Sequence, residues 1–261
     1  MSVSALCPPA EDEVRVEGDL DAAVALITVC GAWAGVLPTA ATAAVRKCLA
    51  AHPEALIVDL SGLHDPVSGS TETWTEARRA AAAMDPPVQL ALCVPPDRPL
   101  ARRLQHRSDR PYLPVYAKLR QARVAVTGRM PVTDRRSLVL PPEPDSPSVA
   151  RDMVGAACLS WGRPELLPAA RLVMSELVTN GVEHTGDTLT AAVTRRGTSL
   201  QLTVSDCRAD PPRLIQPARP RPGRPLDERG LGLRLVAGTS RAWGWLPTAT
   251  GKVVWAVIGP R

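Results

Sequence analysis

Aromatic side chains are scarce in this chain of 261 residues, which has no phenylalanine and only two tyrosines. Its hydrophobic cores must therefore be built from alanine, valine, leucine and the six tryptophans. Lysine is also scarce, with three lysines against 28 arginines, and the net charge is +5. This charge favours polyanionic ligands, including nucleotide phosphates. Because no aromatic side chains are interleaved with the arginines to stack on bases, nucleic acid is disfavoured as a partner.

Paired cysteines and long apolar runs are missing as well. The six cysteines are scattered, without C-x-x-C pairs or histidines at metal-ligand spacing, which indicates reduced and mostly buried thiols. No apolar run approaches the roughly 20 residues needed to cross a bilayer. Glu11, Asp12 and Glu13 stand where a signal peptide would carry positive charge. We therefore expect a soluble, cytoplasmic protein that does not contact a membrane.

Strand-like and helix-like segments alternate along the first half of the chain. Leu56–Leu60 is a continuous apolar run, typical of a strand buried on both faces. The alternation predicts an α/β fold with a mixed sheet. Strands are predicted over residues 14–18, 24–33, 56–60, 88–94 and 113–117, and helices over residues 39–51, 71–84 and 96–107, with a last short one through Arg120.

Residues 124–136 carry glycine, proline and charge without apolar periodicity, so we place a linker there. The linker separates two predicted domains of mixed α/β class, residues 1–123 and residues 137–261. In the second domain, alternating segments flank Arg196-Gly197, which is a hairpin signal. Strands are predicted there over residues 137–140, 189–194, 200–205, 242–246 and 252–258, and helices over residues 149–161, 164–184 and 229–240.

Residues 207–228 are the compositionally biased part of the second domain. This segment contains six prolines and five arginines, a composition that excludes regular structure and predicts a mobile loop. It also holds much of the positive charge of the second half, where residues 126–261 have 18 basic and 12 acidic side chains. Asp206 and Gly230, which flank this loop, would place it beside the phosphates of a nucleotide, so we interpret it as a nucleotide lid.

The helix predicted from Pro164 to His184 carries the residues on which the functional interpretation depends. On one face Glu176, Asn180 and His184 follow one another at four-residue spacing, so their side chains stack along the helix. A carboxylate, an amide and an imidazole beside an apolar stripe are well placed to line a pocket, although a plain helix with polar flanks is the competing interpretation. The apolar stripe, at spacings of three and four residues, comprises Leu166, Ala170, Val173, Leu177 and Gly181.

Two further segments carry residues that could bind the same ligand as Glu176 and Asn180. Asp206 ends a predicted strand, where its carboxylate can accept a hydrogen bond from a purine amino group. Gly230 and Gly232 open a helix, where backbone N–H groups can approach phosphate oxygens. The amide oxygen of Asn180 suits a Mg²⁺ ion shared with phosphates, and Glu176, one turn away, can take a proton from an incoming hydroxyl.

Together these segments resemble the ATP-binding domain of the anti-sigma factor serine/threonine kinases, within the histidine-kinase-like (GHKL) ATPase superfamily. The likeness rests on four motifs in order: Glu-Leu-Val-Thr-Asn-Gly-Val-Glu-His at 176–184, Val-Ser-Asp at 204–206, Arg-Gly-Leu-Gly-Leu at 229–233, and Trp-Gly at 243 followed by Gly-Lys-Val-Val-Trp at 251–255. It implies a GHKL (Bergerat) α/β sandwich for residues 137–261, with ATP and Mg²⁺ as cofactors.

Carried over to this sequence, the resemblance makes Glu176 the general base and Asn180 the Mg²⁺ ligand. Asp206, Gly230 and Gly232 become ATP-binding residues together with Asn180. The superfamily has two glycines after the strand-ending aspartate, and Arg208 and Asp210 replace them here, which weighs against tight ATP binding. His184 is interpreted as structural, and Lys252 as a strand-start charge outside the site.

The first domain resembles the STAS domain of anti-sigma factor antagonists. The likeness rests on Leu-Ile-Val-Asp-Leu-Ser-Gly-Leu at 56–63, followed by a serine-containing turn and a helix. In that family the turn reads Asp-Ser-Ser-Gly and a serine is phosphorylated by a partner kinase, whereas residues 67–70 here read Val-Ser-Gly-Ser. Ser68 and Ser70 are therefore candidate phosphoacceptors near a helix N-terminus, where phosphate is favoured. A turn in which the serines only cap the helix is the competing interpretation, and the altered motif favours it.

Three functions are compatible with these features. The first is an ATP-binding regulatory protein of the anti-sigma factor/serine-threonine kinase type, which controls transcription by switching between protein partners. Its implied partners are a sigma factor and/or a STAS-type anti-sigma factor antagonist, and a homodimer is left open. The second is a catalytically silent protein-binding scaffold with degenerate STAS and ATPase domains. The third, which is disfavoured, is a nucleic-acid binder acting through the arginine-rich residues 207–228.

Overall fold

The structure is a computed structural model that describes residues 13–19, 24–105, 113–128, 134–212 and 232–260. Contacts between Cα atoms divide the chain into two compact units. Unit 1 comprises residues 1–49 and 53–131, and unit 2 comprises residues 50–52 and 132–261.

Unit 1 is a mainly parallel sheet covered by helices. Its strand order is β1-β2-β3-β5-β6, with β4 pairing with β2, and β1 runs antiparallel to β2 while the other pairs are parallel. Its described elements are, in chain order, β1 (Glu13–Asp19), β2 (Val24–Ala32), α1 (Leu37–Ala50), β3 (Ala55–Asp59), β4 (Leu63–His64), α2 (Thr71–Ala82), β5 (Gln89–Cys93), α3 (Pro99–Gln105), β6 (Val115–Tyr116) and α4 (Leu119–Thr127).

Both faces of this sheet are buried under helices. Leu56 and Val58 of β3 pack with residues of α1, α2 and α3, whereas Ile57 packs with Ala122 and Val126 of α4 on the opposite face. Successive side chains of a strand point to opposite faces, so a strand with helices on both sides must be apolar throughout. The prediction that this strand is buried on both faces is confirmed.

Helix α4 differs from the sequence-based expectation of a short helix through Arg120. It continues to Thr127 and so includes the first residues of the predicted linker. Ala122 and Val126 are both buried and lie four residues apart, so the apolar spacing extends the helix. The two-residue strand β4 was not predicted, because two residues give no periodic pattern.

Unit 2 is an antiparallel sheet of order β10-β11-β9-β8-β7, with helices packed on one face. In the β8–β9 hairpin, Gly197 adopts a φ of 55°, as the predicted hairpin turn requires. The described elements are β7 (Arg135–Leu140), α5 (Ser146–Ser160), a 3₁₀ turn (Pro164–Leu166), α6 (Leu167–Thr185), β8 (Leu189–Arg196), β9 (Ser199–Asp206), α7 (Gly232–Thr239), β10 (Ala242–Thr248) and β11 (Gly251–Ile258).

Helix α6 fixes the position of the candidate site within unit 2. It follows directly on the 3₁₀ turn and ends at Gly186, whose φ of 63° closes the helix in the left-handed conformation. A Cβ atom built on Gly181 would lie 2.7 Å from Leu189 Cδ1, so the glycine allows α6 to pack closely on β8. The predicted apolar stripe of this helix is buried, including Leu166 in the preceding turn.

The strands at the ends of the two strand orders are β1 and β6 in unit 1 and β7 and β10 in unit 2. Along β1, Glu13, Arg15 and Glu17 are exposed and alternate with partly buried valines. Strand β6 has two residues, β7 begins with Arg135-Arg136, and β10 contains Pro247.

The predicted fold class, α/β (α+β) with a mixed sheet in the first domain, is confirmed by these elements. No helix within the described ranges is long and apolar enough to cross a membrane.

The five described cysteines are free, and three of them, Cys48, Cys93 and Cys158, are buried. Burial raises the pKa of the Cys48 and Cys93 thiols to about 12, which leaves both protonated and unreactive at neutral pH.

Candidate functional site

The start of α7 lies against Glu176 of α6. A Cβ atom built on Gly232 would lie 2.7 Å from Glu176 Oε2, closer than non-bonded atoms normally approach. A side chain at position 232 would therefore have to displace the carboxylate of Glu176 from the first turn of α7. The structure thus brings together two of the predicted site residues that are far apart in the sequence.

Glu176 and Asn180 are both half-buried, one turn apart on α6, whereas His184 is exposed. Burial raises the pKa of the Glu176 carboxyl above its ordinary value, and the negative charge of Glu183 raises it further. A carboxylate with a raised pKa is a stronger base once ionised, which suits a proton acceptor. The geometry of α6 is therefore compatible with the predicted roles of Glu176 and Asn180.

Asp206 ends β9 and is buried in an ion pair that the sequence did not predict. Its Oδ1 accepts hydrogen bonds from Lys252 Nζ at 2.9 Å and from the backbone N–H of Arg208 at 2.8 Å. Lys252 lies directly opposite Asp206 in the β11–β9 register, and its Nζ also donates to the Arg208 carbonyl oxygen at 3.2 Å. The interpretation of Lys252 as a simple strand-start charge is therefore wrong. The sequence did contain a signal for this pair, because a lysine next to the apolar run of a buried strand is rarely buried unless it has a partner.

The backbone after Asp206 packs closely against Gly251. A Cβ atom on Gly251 would overlap the carbonyl oxygen of Asp206 and lie 2.7 Å from Cys207 Cα. The exposed Cys207 thiol donates to Asp187 Oδ2 at 3.5 Å, and this hydrogen bond raises the pKa of the thiol. Residues 207–212 contain no helix or strand, as their proline content predicted. Gly230 and most of the predicted lid lie outside the described residues.

The turn that carries Ser68 and Ser70 is organised around Asp65. Asp65 Oδ1 accepts the Gly69 N–H at 2.8 Å, and Oδ2 accepts the Ser70 N–H at 2.9 Å and the Ser70 hydroxyl at 2.6 Å. Ser70 is fully buried, and Ser68, with a φ of 57°, is 6% exposed. Ser70 directly precedes α2, but its side chain makes no capping hydrogen bond to the helix and donates to Asp65 instead, so the acidic side chain and not a serine hydroxyl organises the turn. Phosphorylation of either serine stays a prediction. The sequence patterns did not predict the role of Asp65, although Asp-Pro at 65–66 favours a turn.

Comparison with known proteins gives one structural likeness to report. No protein-family model matches the chain. No curated protein matches it by sequence. Among solved structures, the chain is similar to an anti-sigma factor antagonist from Mycobacterium paratuberculosis, with 21% sequence identity and coverage of 46% of this chain and 98% of that chain. The TM-score is 0.36, a value at which the likeness supports no conclusion about function.

The side chains around Glu176 fit Mg²⁺ and ATP in part. Mg²⁺ prefers oxygen ligands and usually binds through one or two protein groups plus substrate phosphates, so the Asn180 amide oxygen is a suitable donor. Within the part of the chain that the structure describes, no group of three or more His, Cys, Asp or Glu side chains could hold a metal ion. At Asp206 the fit is poorer, because the side chain is only 4% exposed and Oδ1 already accepts from Lys252 and from the Arg208 backbone.

Proposed function

We propose that unit 2 binds ATP and that the protein is a regulatory protein of the anti-sigma factor/serine-threonine kinase type. In this proposal it controls transcription by switching between protein partners. The observation that carries the proposal is the approach of Gly232 to Glu176, which sets a half-buried carboxylate beside the start of α7. The four ordered sequence motifs that resemble those of the anti-sigma factor kinases support it.

Each site residue has a distinct role in the proposal. Glu176 accepts the proton of the serine hydroxyl that is to be phosphorylated, and its raised pKa makes it an effective base. Asn180 offers its amide oxygen to Mg²⁺, and Asp206 offers a carboxylate oxygen to the adenine amino group. Gly230 and Gly232 let backbone N–H groups approach the phosphates. When bound, ATP supplies the phosphoryl group.

The proposed partners are a sigma factor and/or a STAS-type antagonist whose serine accepts the phosphoryl group. The serine turn of unit 1 is a poor phosphoryl acceptor, because an acceptor hydroxyl must be exposed enough to enter the active site of a kinase. Ser70 is fully buried and its hydroxyl is bound to Asp65. We therefore place the acceptor serine on a separate protein, with Ser68 and Ser70 as secondary candidates.

A catalytically silent scaffold is the second candidate, and the Asp206–Lys252 pair favours it. Lys252 holds Asp206 Oδ1 in a buried ion pair, so a purine amino group must share a carboxylate that is already bound. Arg208, which stands where the superfamily has a glycine, joins the same network through its backbone. In a scaffold, this pair would stabilise unit 2 and leave both units as protein-binding surfaces.

The test compares Glu176→Gln and Asn180→Ala in the full chain. ATP binding is measured by calorimetry with and without Mg²⁺, and transfer is measured as the intact mass of candidate antagonists. We expect Asn180→Ala to weaken nucleotide binding and remove its Mg²⁺ dependence. Glu176→Gln should bind normally, while transfer falls by the ~10²–10⁴-fold typical of a lost general base. The control is Glu143→Gln, an exposed glutamate of unit 2.

Each outcome separates the two candidates. Unimpaired transfer by both Glu176→Gln and Asn180→Ala would contradict the assigned roles. Nucleotide binding by the parent protein without transfer to any antagonist would favour the scaffold. Failure of the parent protein to bind ATP at all would contradict the proposal.

A further inference from the structure

Unit 1 contains a small cavity that the proposed function does not use. It lies beyond the carboxyl ends of β3 and β5 and has a volume of about 110 Å³. Leu60 and Val94, which follow these two strands, form part of its wall, and His64, Asp65 and Arg98 supply polar groups. Loops at the carboxyl ends of parallel strands are a common place for ligands in α/β proteins.

Arg98 is half-buried and lines this cavity. Its Nε is buried and has no hydrogen-bond partner, and across the described ranges its guanidinium forms no ion pair. Buried N–H groups are nearly always satisfied, so the unpaired Nε marks Arg98, which lines the cavity, as a side chain that lacks an acceptor. The backbone of Arg98 is fixed between Pro96 and Pro99, and its N–H donates to the Pro95 carbonyl oxygen at 3.1 Å. The guanidinium is therefore carried by a rigid loop.

Asp65 also lines the cavity but does not satisfy Arg98. Both of its carboxylate oxygens accept hydrogen bonds from the turn, from Gly69 and from Ser70. These three donors offset much of its negative charge. His64, which is exposed at the same cavity, can provide a second N–H donor.

We propose that this cavity binds one small oxyanion of the phosphate class, held by Arg98 with His64 as a second donor. A volume of about 110 Å³ corresponds to roughly four water molecules at about 30 Å³ each. That space is too small for a nucleotide, since sites for larger ligands usually measure about 300 Å³ or more. The planar guanidinium can donate two parallel N–H bonds to an oxyanion, a geometry that lysine cannot reproduce.

The test uses the full chain and inorganic phosphate, with sodium chloride at matched ionic strength as the reference. We expect phosphate to raise the Tm of the parent protein in a saturable manner, because a ligand that binds only the folded state stabilises it. In Arg98→Gln the Kd obtained from this saturation should rise about ten- to a hundredfold, as for lost hydrogen bonds to a charged group. Arg102→Gln, an exposed arginine of α3, is the matched control and should bind like the parent.

Three comparisons decide whether phosphate binds at Arg98. Equal phosphate affinity in Arg98→Gln and the parent, or an equal shift with chloride, would overturn the proposal. Phosphate binding that ATP displaces, or that Asn180→Ala removes, would assign the ion to unit 2 and overturn the proposal too. Should Arg98→Gln melt at a lower temperature without ligand, Arg98→Lys replaces it. Phosphorus-31 NMR line broadening by the parent must then decrease in Arg98→Lys, and equal broadening would again contradict the assignment.

Discussion

The ionisation of Glu176 couples its proposed chemistry to pH. Burial raises the pKa of this carboxyl, so folding favours its protonated form. That contribution to stability is fully present below the ordinary pKa and is lost as the pH rises through the raised pKa. We expect Glu176→Gln, which cannot ionise, to be as stable as the parent or more stable at about pH 7. The advantage should shrink toward about pH 4, and thermal denaturation at both values measures it.

The exposed Glu143 provides the comparison for this experiment. Glu143→Gln should show no gain that depends on pH. A marked loss of stability in Glu176→Gln at neutral pH would mean that the ionised carboxylate stabilises the fold, contrary to the direction of its pKa shift. Because stability and phosphoryl transfer should respond in opposite directions, the two measurements together separate a functional base from a structural carboxylate.

The start of α2 depends on Asp65, which binds three donors of the preceding turn. Asp65→Asn keeps the shape but leaves one oxygen instead of two, so at least one of the three donors loses its acceptor. We expect this change to lower the free energy of unfolding by about 1–3 kcal/mol, measured by urea denaturation. Ser70→Ala removes only the hydroxyl and should lower it by about 0.5–1.5 kcal/mol.

An exposed aspartate in the same unit supplies the control for this element. Asp97→Asn should change stability little, because surface substitutions usually stay within about 0.5 kcal/mol. An Asp65→Asn protein as stable as Asp97→Asn would show that the three hydrogen bonds do not hold the helix start. In that case the buried serines would also be freer to reach a partner kinase than the structure indicates.

For the molecule as a whole, the sequence predicts two domains with a boundary in residues 124–136. Limited proteolysis should therefore cut first in this segment or in residues 207–228, which carry six prolines. Because α4 extends to Thr127 and buries Val126, a cut in the first segment should fall after Thr127. N-terminal sequencing of the early fragments measures this. Early cleavage inside β3 or α6 would contradict the division.

The elements of both units could largely be predicted, because their apolar residues recur at strand or helix spacing. The buried stripe of α6 and the strand-ending position of Asp206 follow from such local patterns. The ion pair with Lys252 could not be derived, since it depends on which strand pairs with β9 and in which register. The contact between Gly232 and Glu176 likewise depends on how α7 docks on α6, which local sequence does not encode.

The four strands at the ends of the two strand orders bear on how copies of this protein could associate. An open edge offers unpaired N–H and C=O groups to a neighbouring chain, and charged residues, prolines and short strands oppose that pairing. Glu13, Arg15 and Glu17 along β1, Arg135-Arg136 on β7 and Pro247 on β10 are such features, and β6 has only two residues. Intermolecular sheet extension, the route to fibrillar aggregates, is therefore opposed at these four strands of the described residues.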